Sequence, residues 1–132
     1  MSKLPGLKPG LTGSANLIVD EARTALALGS GSVLVFGTPA LITLMERAAL
    51  QCVEALLPPG QISLGTQVDV DHVAPTAIGG EVTARAELVA INGKLLNFAI
   101  TAHEGEKLVG RGVHVRAVVD RERFMAKVLS AG

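Results

Sequence analysis

The chain has 132 residues, 48% of them hydrophobic, and its twelve basic and twelve acidic side chains cancel. Aromatics make up 2%, with no Trp or Tyr and no basic run. The stacking platforms and phosphate-neutralising patches of a nucleic-acid binder are therefore missing. No uninterrupted apolar stretch approaches the roughly 18 residues of a membrane span. The N-terminal Met1-Ser2-Lys3-Leu4-Pro5-Gly6 lacks an apolar signal core, which predicts a cytoplasmic protein.

Residues 1–10 carry Pro5, Gly6, Pro9 and Gly10 and read as an N-terminal arm, which leaves residues 11–132 as a single domain. Asn16 to Asp20 reads as strand. Glu21 to Leu28 fits either a strand or a short helical turn. Gly29-Ser30-Gly31-Ser32 is a link, and Ser32 to Phe36 is a short β-like run. Thr38-Pro39 then sets a capping hydroxyl before a proline at the first helical position, a helix start signal. The apolar pattern continues through Leu41, Leu44, Met45, Ala48, Ala49, Cys52, Val53 and Leu56 until Pro58-Pro59-Gly60 stops it. Thr43, Arg47 and Glu54 leave only a narrow polar side, while Ile42 and Leu50 widen the apolar one, so this helix should be wrapped. The sole cysteine, Cys52, lies in the apolar stripe and is expected in the core, with no internal disulfide.

Four β-like runs follow: Gln61 to Val73, Glu81 to Ile91, Leu95 to His103, and Lys107 to Val119. Asn92-Gly93 between two of them is a strong hairpin signal. Alternation predicts one apolar face from Val82, Ala84, Ala86 and Leu88, and another from Val113, Val115, Ala117 and Val119. Asp120 is placed to cap a final helix running to Leu129. The class is thus α+β: a strand, a long buried helix, then an antiparallel sheet wrapped around it. That order suggests a hot-dog fold. A small core without large aromatics would gain from a second subunit.

Three residues stand out as a possible hydrolytic set. His72 shares a strand face with Val68 and Val70, the apolar side that should meet the helix. There it serves as an acid or base near neutral pH, or as a hydrogen-bonded core histidine. Glu46 lies at the edge of the helix's apolar side, where a half-buried carboxylate needs a partner; His72 is the candidate. The bland alternative is a solvated flank glutamate. Thr38 is explained by capping alone, yet a helix start also aims amides and positive partial charge at an oxyanion. Gly65 reads as a bulge or as a point of close ligand approach. Arg116 alternates opposite Val115 and Ala117, so it is expected to point outward, toward solvent or a ligand anion. His114 shares that face and, like His103, has no evident partner. The histidines lack metal-ligand spacing, so no metal site is expected. No glycine-rich phosphate loop opens the helix.

Two segments carry a resemblance. One is Phe36-Gly37-Thr38-Pro39-Ala40-Leu41-Ile42-Thr43-Leu44-Met45-Glu46-Arg47-Ala48-Ala49, and the other runs from Gly65 to Val82 with His72-Val73-Ala74-Pro75-Thr76 at its centre. Both resemble the fluoroacetyl-CoA thioesterase-like branch of the hot-dog thioesterases, and the resemblance extends roughly from Leu11 to Val119. It implies a homodimer, or a higher assembly, whose two sheets run into one another, with active sites at the interface. It implies Thr38, Glu46 and His72 as catalytic residues, and Gly65, Arg116 and Phe36 close to the substrate. It implies cleavage of an acyl-CoA to a carboxylate and free CoA, with no metal or organic cofactor. Ala27-Leu28-Gly29-Ser30-Gly31-Ser32 departs from the phenylalanine lid expected of fluoroacetyl selectivity. The expected activity is hydrolysis of a short or small acyl-CoA. The rival readings are a hot-dog hydratase or dehydratase, a non-catalytic acyl-CoA-binding dimer, and a structural interaction domain.

Overall fold

The computed structural model describes residues 4–131. In chain order the elements are β1 (Thr12–Ile18), a 3-10 turn (Glu21–Arg23), α1 (Ala25–Leu28), α2 (Thr38–Val53), a second 3-10 turn (Glu54–Leu56), β2 (Gln61–His72), β3 (Glu81–Asn92), β4 (Leu95–Glu104), β5 (Lys107–Asp120) and α3 (Arg121–Ala131). The strands form one antiparallel sheet in the order β1-β3-β4-β5-β2. This is the expected α+β arrangement, a sheet packed around a central helix. The ambiguous Glu21 to Leu28 segment turns out helical. The Ser32 to Phe36 run forms only isolated bridges, Thr24 with Phe36 and Val35 with Ala77.

Helix α2 buries Leu41, Leu44, Met45, Ala48, Ala49, Cys52 and Val53. They meet the inward residues Val82, Ala84, Ala86 and Leu88 of β3, and Leu96, Phe98, Ile100 and Ala102 of β4. Each fully buried Leu, Val or Phe contributes about 1.5–3 kcal/mol. The helix backbone seats directly on β1: a Cβ on Gly13 would lie 2.5 Å from the Cys52 amide nitrogen and 2.7 Å from the Ala48 carbonyl oxygen. Leu4 and Leu7, ahead of β1, are buried in the same core. Cys52 is buried and free, as expected. The Asn92-Gly93 signal is realised as the β3–β4 turn, with Asn92 paired to Leu95 and Gly93 at φ 63°. Asp120 accepts from the Arg123 amide at 2.9 Å and caps α3, which runs two residues past the expected end.

Two departures from the expected pattern position the site. The apolar alternation of β5 is real but its phase is inverted. His114, Arg116 and Val118 are buried, whereas Val113 is 49% exposed and Val115, Ala117 and Val119 are half-buried. The expectation that Arg116 points outward is thus overturned; its buried guanidinium is satisfied by polar partners under the sheet. In β2, the pairing with β5 shifts between Gly65 and Gln67, where one extra residue, Thr66, is accommodated as a bulge. Gly65 pairs with Arg116, while Val68 pairs with His114 and His72 with Gly110. Side chains alternate along a strand, so seven positions would normally separate opposite faces. The bulge restores Gly65 and His72 to the same, helix-facing side.

Candidate active site

Thr38 is the first residue of α2, and Gly37, not Thr38, is its N-cap, with no side-chain capping bond. The capping reading of Thr38 is therefore corrected: Pro39 lies one position further into the helix, and the Thr38 hydroxyl is available for another partner. Its Oγ1 lies 2.8 Å from His72 Nδ1 at the end of β2. Phe36 is buried and meets the His72 ring edge-on, with centroids 6.1 Å apart at 75°. That contact fixes the plane of the imidazole. Burial lowers the His72 pKa below the ordinary imidazole value, and the backbone at Ala74 partly offsets this. Nε2 is buried and has no hydrogen-bond partner among the described residues. A neutral imidazole with its lone pair on Nδ1 accepts the Thr38 proton.

These residues border a cleft of about 290 Å³, walled by Ala25, Ser30, Val35 and Phe36 on one side and Val73 to Pro75 on the other. The segment from residue 24 to residue 37 folds back on itself over the cleft. The Ala25 amide donates to Val35 O at 2.8 Å, the Phe36 amide to Thr76 O at 2.8 Å, and the Gly37 amide to Arg23 O at 2.9 Å. A larger concavity of about 540 Å³ lies on the opposite face of the sheet, between Asp69, Asp71, Arg85 and Arg111. Its lining includes the Thr101 hydroxyl and the Asp69, Asp71 and Glu87 carboxylates but no histidine, so no imidazole base meets a hydroxyl there as His72 meets Thr38.

Glu46 does not meet His72, the partner the sequence led us to expect. Its carboxylate faces β5: Oε2 lies 3.4 Å from Arg116 Nη1 and 3.7 Å from His114 Nε2. Gly65 is what admits it, since a Cβ there would fall on Glu46 Oε2. Arg116 Nε donates to Ser63 Oγ at 2.8 Å, and Nη2 donates to the Ser63 carbonyl at 2.9 Å. Burial lowers the Arg116 pKa, while Glu46 and Glu54 act in the opposite sense. The protomer therefore holds two polar clusters under one sheet. Thr38, His72 and Phe36 form the first; Glu46, Gly65 and Arg116 form the second, joined by Ser63 and His114. Gly65 and His72 are seven residues apart on β2, about 20 Å at the usual strand rise. The two clusters do not touch within one chain.

Ser63 and His114 were not singled out from the sequence as site residues. Ser63 left no signal. His114 did: His114 and Arg116 share one face of an otherwise apolar alternation, a spacing that fits a buried polar pair.

Comparison with known proteins bears on all of this geometry. Residues 19–122 match the family model described as fluoroacetyl-CoA-specific thioesterase, FlK. A fluoroacetyl-CoA thioesterase of Streptantibioticus cattleyicolor is 43% identical over 94 residues, covering 71% of this chain and 68% of that protein. A solved structure of the fluoroacetyl-CoA thioesterase FlK superposes with a TM-score of 0.89 at 33% identity, covering 96% of this chain and 98% of that one. A hot-dog-like protein from Thermanaerovibrio acidaminovorans, 21% identical, shares the fold with a TM-score of 0.89 over 99% of this chain and 97% of its own. The central helix, the curled sheet and these matches have one reading: the chain belongs to the fluoroacetyl-CoA-specific thioesterase family of hot-dog thioester hydrolases.

Proposed function

We propose that this protein hydrolyses a short acyl-CoA to its carboxylate and free CoA, working as a homodimer with one composite site at each end of the interface. The observation that carries the reading is the Thr38 hydroxyl 2.8 Å from His72 Nδ1 at the start of α2. A hydroxyl in contact with a base kept neutral by burial, at a helix N-terminus, suits attack on a thioester carbonyl.

The open edge of β2 supplies the dimer. Residues 65–69 are exposed on this edge strand. Antiparallel pairing of two β2 edges about a two-fold between Val68 and Asp69 sets Gly65 of one protomer opposite His72 of its partner. Glu46 of one protomer then faces Thr38 and His72 of the other, and the two clusters become one site.

In the reaction, His72 takes a proton from the Thr38 hydroxyl or from a water that Thr38 holds. The resulting oxygen nucleophile adds to the thioester carbon. The oxyanion is stabilised by amides and positive partial charge at the start of α2. Collapse breaks the C–S bond, and His72 returns its proton to the CoA sulfur. If Thr38 is the nucleophile, water then cleaves the acyl-threonine ester: Glu46 takes a proton from the water as it adds to the acyl carbon and returns it to the departing Thr38 oxygen. In both routes one water is consumed, its hydroxyl ending on the acyl carbon and a proton on sulfur. The residues from Ala27 to Ser32 contain no aromatic side chain, so Phe36 is the phenylalanine that walls the cleft and no lid phenylalanine selects fluoroacetate over other small acyl groups.

Thiol release is measured on acetyl- through decanoyl-CoA and on fluoroacetyl-CoA. Turnover of the short esters that collapses in His72→Ala is the expected result. Mixing His72→Ala with Glu46→Gln tests the composite site. Random reassociation places one intact site in half of the dimers and restores about a quarter of wild-type activity. A site contained in one protomer stays dead in that mixture.

A further inference from the structure

We infer that His114 is a positioning residue for this reaction, a fixed neutral acceptor that holds Arg116 against Glu46. The inference rests on the reading of Glu46 as part of the hydrolytic site. His114 is 2% exposed and does not line the cleft. Its two ring nitrogens have single-role partners. Nδ1 lies 2.8 Å from the Gln67 carbonyl oxygen, which only accepts. Nε2 lies 3.1 Å from Arg116 Nη1, which only donates. One protonation state satisfies both: N–H on Nδ1 and a lone pair on Nε2.

That choice orients the guanidinium. Nε and Nη2 are bound to Ser63, and Nη1 is drawn to His114 on one side and Glu46 on the other. Without the Nε2 acceptor, no other buried group among the described residues fixes Nη1 at the height of the carboxylate. The ring itself is packed against Phe98, with centroids 6.2 Å apart. A proton on Nε2 would oppose the guanidinium, and the charged groups facing the ring are Arg116 from β5 and Glu46 from α2. Burial lowers the His114 pKa; the Gln67 carbonyl acts in the opposite sense, and Arg116 (lowering) and Glu46 (raising) contribute less. The strand register explains the trio: Gly65 lies opposite Arg116 and Val68 opposite His114, so the bulge places Gln67 beside the ring.

Two polar substitutions separate positioning from packing. The shorter amide of His114→Asn reaches Gln67 but not Arg116; the longer amide of His114→Gln reaches the Nε2 position and accepts from Arg116. We expect kcat for thioester hydrolysis to fall at least about tenfold in His114→Asn with KM within about twofold, and to recover largely in His114→Gln. ¹⁵N spectra of the full-length protein provide a readout independent of turnover. The wild type should show His114 protonated on Nδ1 alone and resolved, slowly exchanging Arg116 Nη signals. Those signals should be lost in His114→Asn and kept in His114→Gln. Equal kcat in the two variants, or a wild-type ring protonated on Nε2, overturns the proposal. If the wild type cleaves no thioester, the functional reading fails, and the spectra still decide whether His114 orients Arg116.

Discussion

Replacing Gly65 with alanine adds one methyl group at the point where the second cluster is most crowded. The new Cβ would fall on Glu46 Oε2, 3.1 Å from His114 Cε1 and 3.6 Å from Arg116 Nη1. These neighbours respond differently. The Glu46 side chain is 39% exposed, so its carboxylate can swing into solvent, giving up an Arg116 contact worth at most about 1 kcal/mol at that exposure. His114 is held at both nitrogens and cannot retreat. The tight contact with its ring adds about 1 kcal/mol of overpacking. The sum is about 1–2 kcal/mol, a fall in Tm of roughly 5 °C for a chain of this length. The effect on turnover is much larger, because the carboxylate leaves its place: about 10²-fold or more in kcat/KM, as for loss of a positioned base. Calorimetry and thiol release measure the two quantities on the same preparation. Combining Gly65→Ala with Glu46→Ala adds the decisive arm. If Gly65 acts through Glu46, the double variant is no slower than Glu46→Ala alone. Activity within about threefold of wild type in Gly65→Ala, or losses that multiply in the double variant, would refute the reasoning.

Three other outcomes follow from the geometry. Thr38→Ala should abolish turnover while costing less than about 0.5 kcal/mol, because Gly37 is the cap; a loss near the 1 kcal/mol of a removed cap in denaturant unfolding would return the hydroxyl to a capping role. Val68→Glu sets like charges face to face beside the proposed two-fold, so size-exclusion chromatography should show a folded monomer without turnover; an active dimer would move the interface elsewhere. Stability should fall as pH drops from 7 to 5. His72 and His114 both have pKa values lowered in the folded protein from the ordinary 6.5, so below that value the unfolded chain binds more protons. Stability is fully present above about 6.5, and His114→Gln should flatten the slope beneath it; urea midpoints that rise on acidification over this range would contradict the assignment.

Much of the fold was legible because each element carried its own punctuation. The four sheet runs are separated by glycine turns, and their ends fall within a residue of those observed; the long helix starts at Thr38 as Thr38-Pro39 signals, but its α-helical part stops at Val53, three residues short of the expected Leu56, and finishes as a 3-10 turn before Pro58. Phase was harder to read. In β5 the apolar side chains face outward and the polar pair His114 and Arg116 faces in, because the guanidinium finds Ser63, His114 and Glu46 beneath the sheet. Hydropathy alone assigns such a strand to the wrong side. The Thr38–His72 contact was foreshadowed by residue type, whereas the Glu46–His72 pairing was not met within the protomer. A list of catalytic side chains says nothing about how many subunits supply them.

The bulge at Thr66 bears on which strands the edge of β2 accepts. An exposed edge strand is a general template for backbone pairing, and a regular one invites any extended segment. The extra residue bends β2 and tightens its local twist, so a straight strand laid along it loses register partway. In the proposed antiparallel register, Thr66 falls opposite Asp71 of the partner subunit, so the bulges of two β2 strands lie symmetrically on either side of the two-fold and the two bent edges are equivalent. The irregularity that turns His72 toward the helix thus also filters out promiscuous strand addition, and it ties solubility and site geometry to one residue. Deleting Thr66 would put both at risk together.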